Sequence, residues 1–193
     1  MMPNNITITP NRIFDSEKPD VIIMDVVETP LMEKFAEIVT RNGGDILEIG
    51  FGLGISADYI YNNKIKSYTC IEIHPEIYQN AVRWAEDKQN VNIILGDWKD
   101  IIPTLNNKFD GIFMDTFEYT NYDKFEEYCL NIANVNCILS IFDYTTQPNK
   151  SLDFVSVKID KMEYLNNRED FTIYYSHFNG NSFTKKEKSN SLI

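Results

Sequence analysis

The sequence predicts an α/β fold in which a mostly parallel, twisted sheet carries helices on both faces. Three observations predict it. An apolar strand, Asp45–Ile49, runs into the turn Gly50-Phe51-Gly52-Leu53-Gly54 and then into a helix. A second strand over residues 68–72 ends on Glu72, about 20 residues beyond the glycine turn, the spacing of a nucleoside-binding βαβ unit. Further short apolar runs alternate with helical patterns, as right-handed crossovers between parallel strands require.

The elements follow in order. Residues 1–20 are polar and contain Asn and Pro, so they are expected to form an arm over the domain. Val21-Ile22-Ile23-Met24 is a short apolar run before an acidic turn. Thr29 then reads as a helix N-cap and Pro30 as the first helical position. Leu31, Phe35, Ile38 and Val39 share one helical face, and Asn42-Gly43-Gly44 stops the helix. Beyond Glu72, Pro75 opens a helix with Ile77, Ala81, Trp84 and Ala85 inward. Val91–Leu95 is a third strand, tipped by Gly96-Asp97-Trp98, and Phe109–Met114 a fourth, tipped by Asp115. Phe125, Cys129 and Ile132 mark a helix, and residues 137–142 a fifth strand. Val155, Ile159, Met162 and Leu165 predict a helix over 150–166. Residues 171–178 read as a late strand, 182–184 as a short last one, and 185–193 as a charged, frayed tail. One domain over 21–184 is therefore expected.

Composition limits the function. The chain has 193 residues, 43% hydrophobic and 24% charged, which suits an ordinary globular domain. Its formal net charge of -11 disfavours nucleic acid, whose phosphates need a positive partner, and is compatible with a cationic substrate. No stretch approaches a membrane span and no secretory signal opens the chain. Cys70, Cys129 and Cys137 lie in apolar segments and read as buried free thiols of a reducing, cytoplasmic setting. His74 and His177 give no metal-ligand spacing, and no metal site is expected. His74 follows a strand tip, where it lines a pocket or faces solvent.

The glycine turn narrows the ligand. Ile55 stands where a dinucleotide fingerprint needs its third glycine, and no Lys-Ser or Lys-Thr pair follows as in a phosphate loop. The spacing Glu48-x-Gly50-x-Gly52-x-Gly54 instead resembles motif I of class I S-adenosyl-L-methionine (SAM) methyltransferases. Glu72 can accept hydrogen bonds from both hydroxyls of a ribose. Asp97 can accept from an adenine amino group. Trp98 packs beside the ring or belongs to the core. Asp115 faces a reacting methyl group or caps a helix.

A further segment sharpens the resemblance. Met24, Glu28-Thr29-Pro30 and Met32, the loop Glu48-Ile49-Gly50-Phe51-Gly52, Glu72, Gly96-Asp97-Trp98 and Asp115-Thr116 together resemble the guanidinoacetate N-methyltransferase family, which includes arginine N-methyltransferases. The likeness runs from residue 20 to 147 and fades beyond. It implies the Rossmann-like class I methyltransferase fold. It also implies a SAM site formed by Met24, Met32, Glu48, Gly50, Phe51, Gly52, Leu53, Gly54, Ile55, Ser56, Glu72, Ile73, His74, Asp97, Trp98 and Asp115. Glu28 and Asp115 would hold a guanidino group as the catalytic pair, with Thr145 and Thr146 as further substrate contacts. Val27 replaces the family's Trp, and Asn134-Val135-Asn136 replaces its Pro-Gly-Gly turn.

Two carboxylates suit that substrate. A guanidinium is planar, carries five donors and is nearly always charged. A carboxylate must also accept a proton, or localise charge, before a guanidino nitrogen can attack. The expectation is a SAM-dependent N-methyltransferase acting on guanidinoacetate, arginine or a peptide arginine, without nucleic acid or membrane and possible as a homodimer. The alternatives are a methyltransferase for another small nitrogen or oxygen nucleophile and a non-catalytic partner protein of the same fold.

Overall fold

A computed structural model describes residues 2–117, 122–142, 153–162 and 168–184. Five strands form its parallel centre: β4 (Asp45–Ile49), β5 (Ser67–Glu72), β6 (Val91–Leu95), β7 (Phe109–Met114) and β8 (Ala133–Ile141). Their spatial order is β6-β5-β4-β7-β8. The chain winds outward from β4 in one direction and returns to its other side at β7, so the switch point lies between the tips of β4 and β7.

Side chains alternate between two cores. On β4, Ile46 joins the cluster beneath α1 (Thr29–Val39), α2 (Ile55–Asn62) and α3 (Pro75–Ala85). Leu47 and Ile49 join the other, with α4 (Trp98–Ile101) and α5 (Tyr122–Cys129). Buried on both faces, these strands need near-continuous apolar runs. Phe35 of α1 stacks on Phe113 of β7 at 4.6 Å between ring centroids, which contributes about 0.5–1.5 kcal/mol beyond area burial. All three cysteines are buried free thiols.

The sheet ends antiparallel. β10 (Arg168–Phe178) pairs with β8 on one edge. Its other edge takes β9 (Asp153–Met162) and then β11 (Phe183–Thr184). The helix expected over 150–166 is therefore corrected: residues 153–162 form a strand. Val155, Val157 and Ile159 alternate with Ser156 and Lys158, a period-2 pattern of β-branched residues that the helical spacing left unexplained. The fifth strand also begins earlier than expected. Its pairing with β7 is interrupted between Phe109 and Gly111, where Asn136 adopts φ 70°, and resumes at Ile138.

The expected arm contains regular structure. β1 (Ile6–Ile8), β2 (Arg12–Asp15) and β3 (Ile22–Asp25) form a separate antiparallel sheet with Ile13 buried in the main core. A 3-10 turn, Val26–Glu28, links β3 to α1. Thr29 does not cap α1, whose N-cap position is Glu28; the capping side chain is that of Asp25, which caps the 3-10 turn and accepts from Val27 N–H at 3.0 Å. Thr29 instead donates its hydroxyl to Val26 O at 2.6 Å and is itself the first helical residue, so Pro30 falls one position later than expected. The cap moved because the extra 3-10 turn takes up the acidic residues ahead of Thr29. The tail from residue 185 lies outside the described residues.

Gly111 allows α1 to rest on β7. A Cβ there would stand 2.1 Å from Val39 O and 2.9 Å from Ile46 Cδ1. Gly111→Ala is expected to destabilise by about 2–3 kcal/mol, because backbone must move to admit the methyl. Thermal denaturation should show a fall of about 4–10 °C for a chain of this size.

Candidate functional site

The carboxyl ends of β4, β5, β6 and β7 open into a cavity of about 880 Å³. Met2, Pro3 and Asn4 of the N-terminal segment form part of its wall. The volume lies within the range for small-molecule sites.

Two glycines shape its floor. Gly50 has φ 89°, and a Cβ there would stand 1.9 Å from Asp115 O. Gly52 has φ 54°, and its Cβ would meet Met24 Sδ at 2.3 Å. Both positions exclude L side chains through backbone conformation and space. The same sulfur accepts from Leu53 N–H at 3.1 Å, which ties β3 to the glycine turn.

Glu72 closes the turn from the other side. Its Oε2 accepts from Phe51 N–H at 2.8 Å, and its Oε1 from His74 N–H at 2.7 Å. Burial raises its pKa, and these backbone donors oppose that rise. The carboxylate still lines the cavity, and each oxygen can accept more than one hydrogen bond. Ile73 is exposed beside it. His74 also lines the cavity, and its buried Nδ1 has no hydrogen-bond partner.

At the next tip Asp97 caps α4, accepting from Lys99 N–H at 2.9 Å, and faces the cavity. Trp98 is a core residue at the cavity wall. It is edge-on to Phe125 at 5.2 Å and to Tyr128 at 5.1 Å, and it also lines the cavity. Asp115 at the tip of β7 faces the cavity as well. Burial, then the charges of Glu28, Glu48 and Glu72, pushes its carboxyl well above the usual range. Glu28 is buried, and its Oε1 accepts from Asp25 N–H at 3.0 Å.

Other expected residues lie behind this surface. Glu48 shares the Ile46 face of β4 and is fully buried, accepting hydrogen bonds from Ser56 Oγ and Tyr68 OH. Both of its oxygens therefore serve the interior. Met32 is a core residue of α1. Phe51 turns inward beneath Gly54 and packs edge-on against Trp84. Leu53 lines a smaller cavity with Phe51 and Trp84, and Ile55 begins α2. Glu28, too, is not among the cavity-lining residues described. Thr145 and Thr146 lie outside the described residues.

Sequence reasoning missed the contributions of Met2, Pro3, Asn4, Lys99, Phe117 and Lys124 to the cavity. No spacing marks the first three. Lys99 and Lys124 lie within α4 and α5, where no strand-tip signal marks them. Among the described residues no His, Cys, Asp and Glu group could hold a metal ion, and no helix is long and apolar enough to cross a membrane.

This arrangement is a class I methyltransferase fold. Among solved structures, spermidine synthase from Thermotoga maritima superposes with a TM-score of 0.62 at 13% identity, over 91% of this chain and 73% of that one. An O-methyltransferase from Streptomyces achromogenes, solved in complex with SAM, gives 0.53 at 17%, over 78% and 80%. The chain belongs to the guanidinoacetate N-methyltransferase family, which matches residues 16–140. Protein arginine N-methyltransferase 2 of Aspergillus oryzae is 32% identical over 133 residues, which cover 66% of this chain and 31% of that protein. The chain thus spans about a third of the length of such curated relatives.

The pKa of Glu48 is pushed up to about 7 by burial, against the hydrogen bonds of Ser56 and Tyr68 and with the charge of Glu72. Its folded value exceeds the ordinary 4.5, so its stabilising contribution is complete below about pH 4.5 and is lost as pH rises through about 7. The loss is on the order of 3 kcal/mol. Urea unfolding should therefore show Glu48→Gln gaining on the parent protein between pH 5 and pH 8. Parallel stability curves for the two proteins would contradict the assignment.

Proposed function

We propose that the chain is a SAM-dependent N-methyltransferase that methylates a guanidino nitrogen of guanidinoacetate, arginine or an arginine in a peptide. The observation that carries the reading is Asp115. It faces the cavity at the switch point of the sheet, under the charge of three other carboxylates, in a member of this family. Such a group calls for a cation.

The cavity suits the cofactor on its own chemistry. Gly50 and Gly52 form its floor without side chains, so only backbone faces the ligand there. Glu72 offers acceptor capacity to ribose hydroxyls, and the unbonded Nδ1 of His74 lies beside it. Asp97 and Trp98 provide an acceptor and an aromatic edge for adenine. When bound, SAM supplies an electrophilic methyl group on a sulfonium.

The protein's own groups do the rest. Asp115 and Glu28 grip the guanidinium with charge-assisted hydrogen bonds and orient one nitrogen toward the methyl group. As the new C–N bond forms, Asp115 takes the proton from that nitrogen, and the electron pair of the broken C–S bond remains on sulfur. Glu28 stabilises the charge left on the guanidino carbon. Neutralisation by the bound cation is what allows Asp115 to be ionised in a buried site.

Labelled SAM, offered with guanidino compounds, arginine peptides, amines and hydroxyl compounds, tests the assignment by mass spectrometry. Methylated guanidines are expected, and equal turnover of amines or hydroxyls would replace the reading with a broader methyltransferase. Asp115→Asn should lower kcat by about 10²–10⁴, the range for loss of a proton acceptor. Glu28→Gln should mainly raise KM for the guanidino substrate while SAM affinity survives. Full activity in both variants would remove the pair from the site.

A pH dependence follows from the raised pKa of Asp115. Below that pKa its carboxyl holds a proton, which a bound cation must expel. Affinity for the guanidino substrate should therefore rise with pH until Asp115 is ionised in the free protein. Calorimetry in buffers of different protonation enthalpy should register proton release on binding at low pH and none in Asp115→Asn. Identical proton release by both proteins would exclude Asp115 as its source.

A further inference from the structure

We propose that Arg12 and Asp25 form a positioning pair that fixes the carboxylate of Glu28. The proposal rests on the reading of Glu28 as a substrate-holding group and names what sets its position. Arg12 of β2 and Asp25 of β3 stand opposite each other in the antiparallel register. Arg12 donates from Nε to Asp25 Oδ2. The other oxygen, Oδ1, accepts from Val27 N–H at 3.0 Å, and the N–H of Asp25 donates to Glu28 Oε1 at 3.0 Å. One short residue thus connects a cation on the N-terminal sheet to the turn that carries Glu28.

The physical need for the pair is specific. Asp25 is 6% exposed and Glu28 4% exposed, and both are carboxylates. Two buried acids three residues apart repel each other, and each loses hydration. The capping box meets part of that cost with backbone donors. Arg12 supplies the counter-charge for Asp25, and its own side chain is 48% exposed, so little of its hydration is lost. A three-residue 3-10 turn has little stability of its own, so its geometry follows its cap. With Oε1 anchored on the Asp25 amide, Glu28 keeps fewer rotamers and loses less entropy in gripping a ligand.

Like Glu28, neither Arg12 nor Asp25 is among the cavity-lining residues, so the pair acts at a distance, through the carboxylate of Glu28 and its charge on Asp115. β3 also carries Met24, whose sulfur is bonded to the glycine turn. The N-terminal sheet is thereby fastened to the glycine turn through Met24 and to Glu28 through Asp25. This gives residues 6–25 a role in catalysis without direct contact with the reacting atoms.

Arg12→Ala, Arg12→Lys and Glu28→Gln, alone and combined in the full chain, test the proposal. Arg12→Ala is expected to raise KM for the guanidino substrate about three- to tenfold, with SAM affinity changed less than about twofold. Arg12→Lys should recover much of the loss, since it keeps the charge. In a Glu28→Gln background Arg12→Ala should add little, because the two changes act on one path. Amide exchange at Asp25 should quicken in Arg12→Ala while exchange in the parallel strands does not. A folded Arg12→Ala protein with unchanged KM, or a penalty that adds in full to that of Glu28→Gln, overturns the proposal. If the parent protein methylates no guanidino compound, the functional reading falls. Exchange at Asp25 then decides the pairing alone: unchanged protection in Arg12→Ala overturns it, and lost protection upholds it.

Discussion

The site depends on how closely the tips of β4 and β7 approach. Asp115 N–H donates to Ile49 O at 2.9 Å, while Gly50 N–H donates to Ile71 O at 2.9 Å. One strand end is thus bonded to both neighbours in the last residues before the chain turns. The carbonyl of Asp115 occupies the space where a side chain at position 50 would stand. That single close contact forces glycine, sets the direction of the turn, and leaves the side chains of Glu72 and Asp115 facing one cavity. A larger residue would part the strands where the fold gathers its polar groups.

The gathering of carboxylates carries an electrostatic cost, and the fold meets it differently at each acid. Glu72 is served by two backbone donors from the turn it closes. Glu48 receives two hydroxyl donors inside the core. Glu28 receives the amide of Asp25. At Asp115, burial and three neighbouring charges act together against ionisation. Glu48, Glu72 and Asp115 accordingly all have raised pKa values within a small volume. The group at the switch point is among those most responsive to a positive ligand.

The parallel half of the fold was legible because its strands are buried on both faces and its turns carry glycine or acid at their tips. Glu72, Asp97, Trp98 and Asp115 all reach the cavity from those positions. The antiparallel half was harder. Residues 153–162 satisfy a helical spacing and a strand alternation together, and pairing with β10 decides between them. Glu48 shows the limit of a motif: the glycine pattern locates it, but strand alternation turns it into the core toward Ser56 and Tyr68. The lining by Met2, Pro3 and Asn4 depends on long-range folding of the N-terminal segment, which no local pattern encodes. The capping role of Asp25 was hidden by Thr29-Pro30, a start signal one turn downstream.

The late strands have a consequence for how the sheet stops growing. β9 and β11 divide the outer edge of β10 between them, so its exposed ladder is occupied in two pieces by the same chain. At the opposite end β6 is five residues long, preceded by Asn90 at φ 58° and followed by Gly96 at φ 156°. A short strand between such turns is a poor template for another chain's backbone. The fold therefore limits edge-to-edge pairing at the β6 margin by brevity, while at the other margin the outer ladder of β10 passes to β9 and β11.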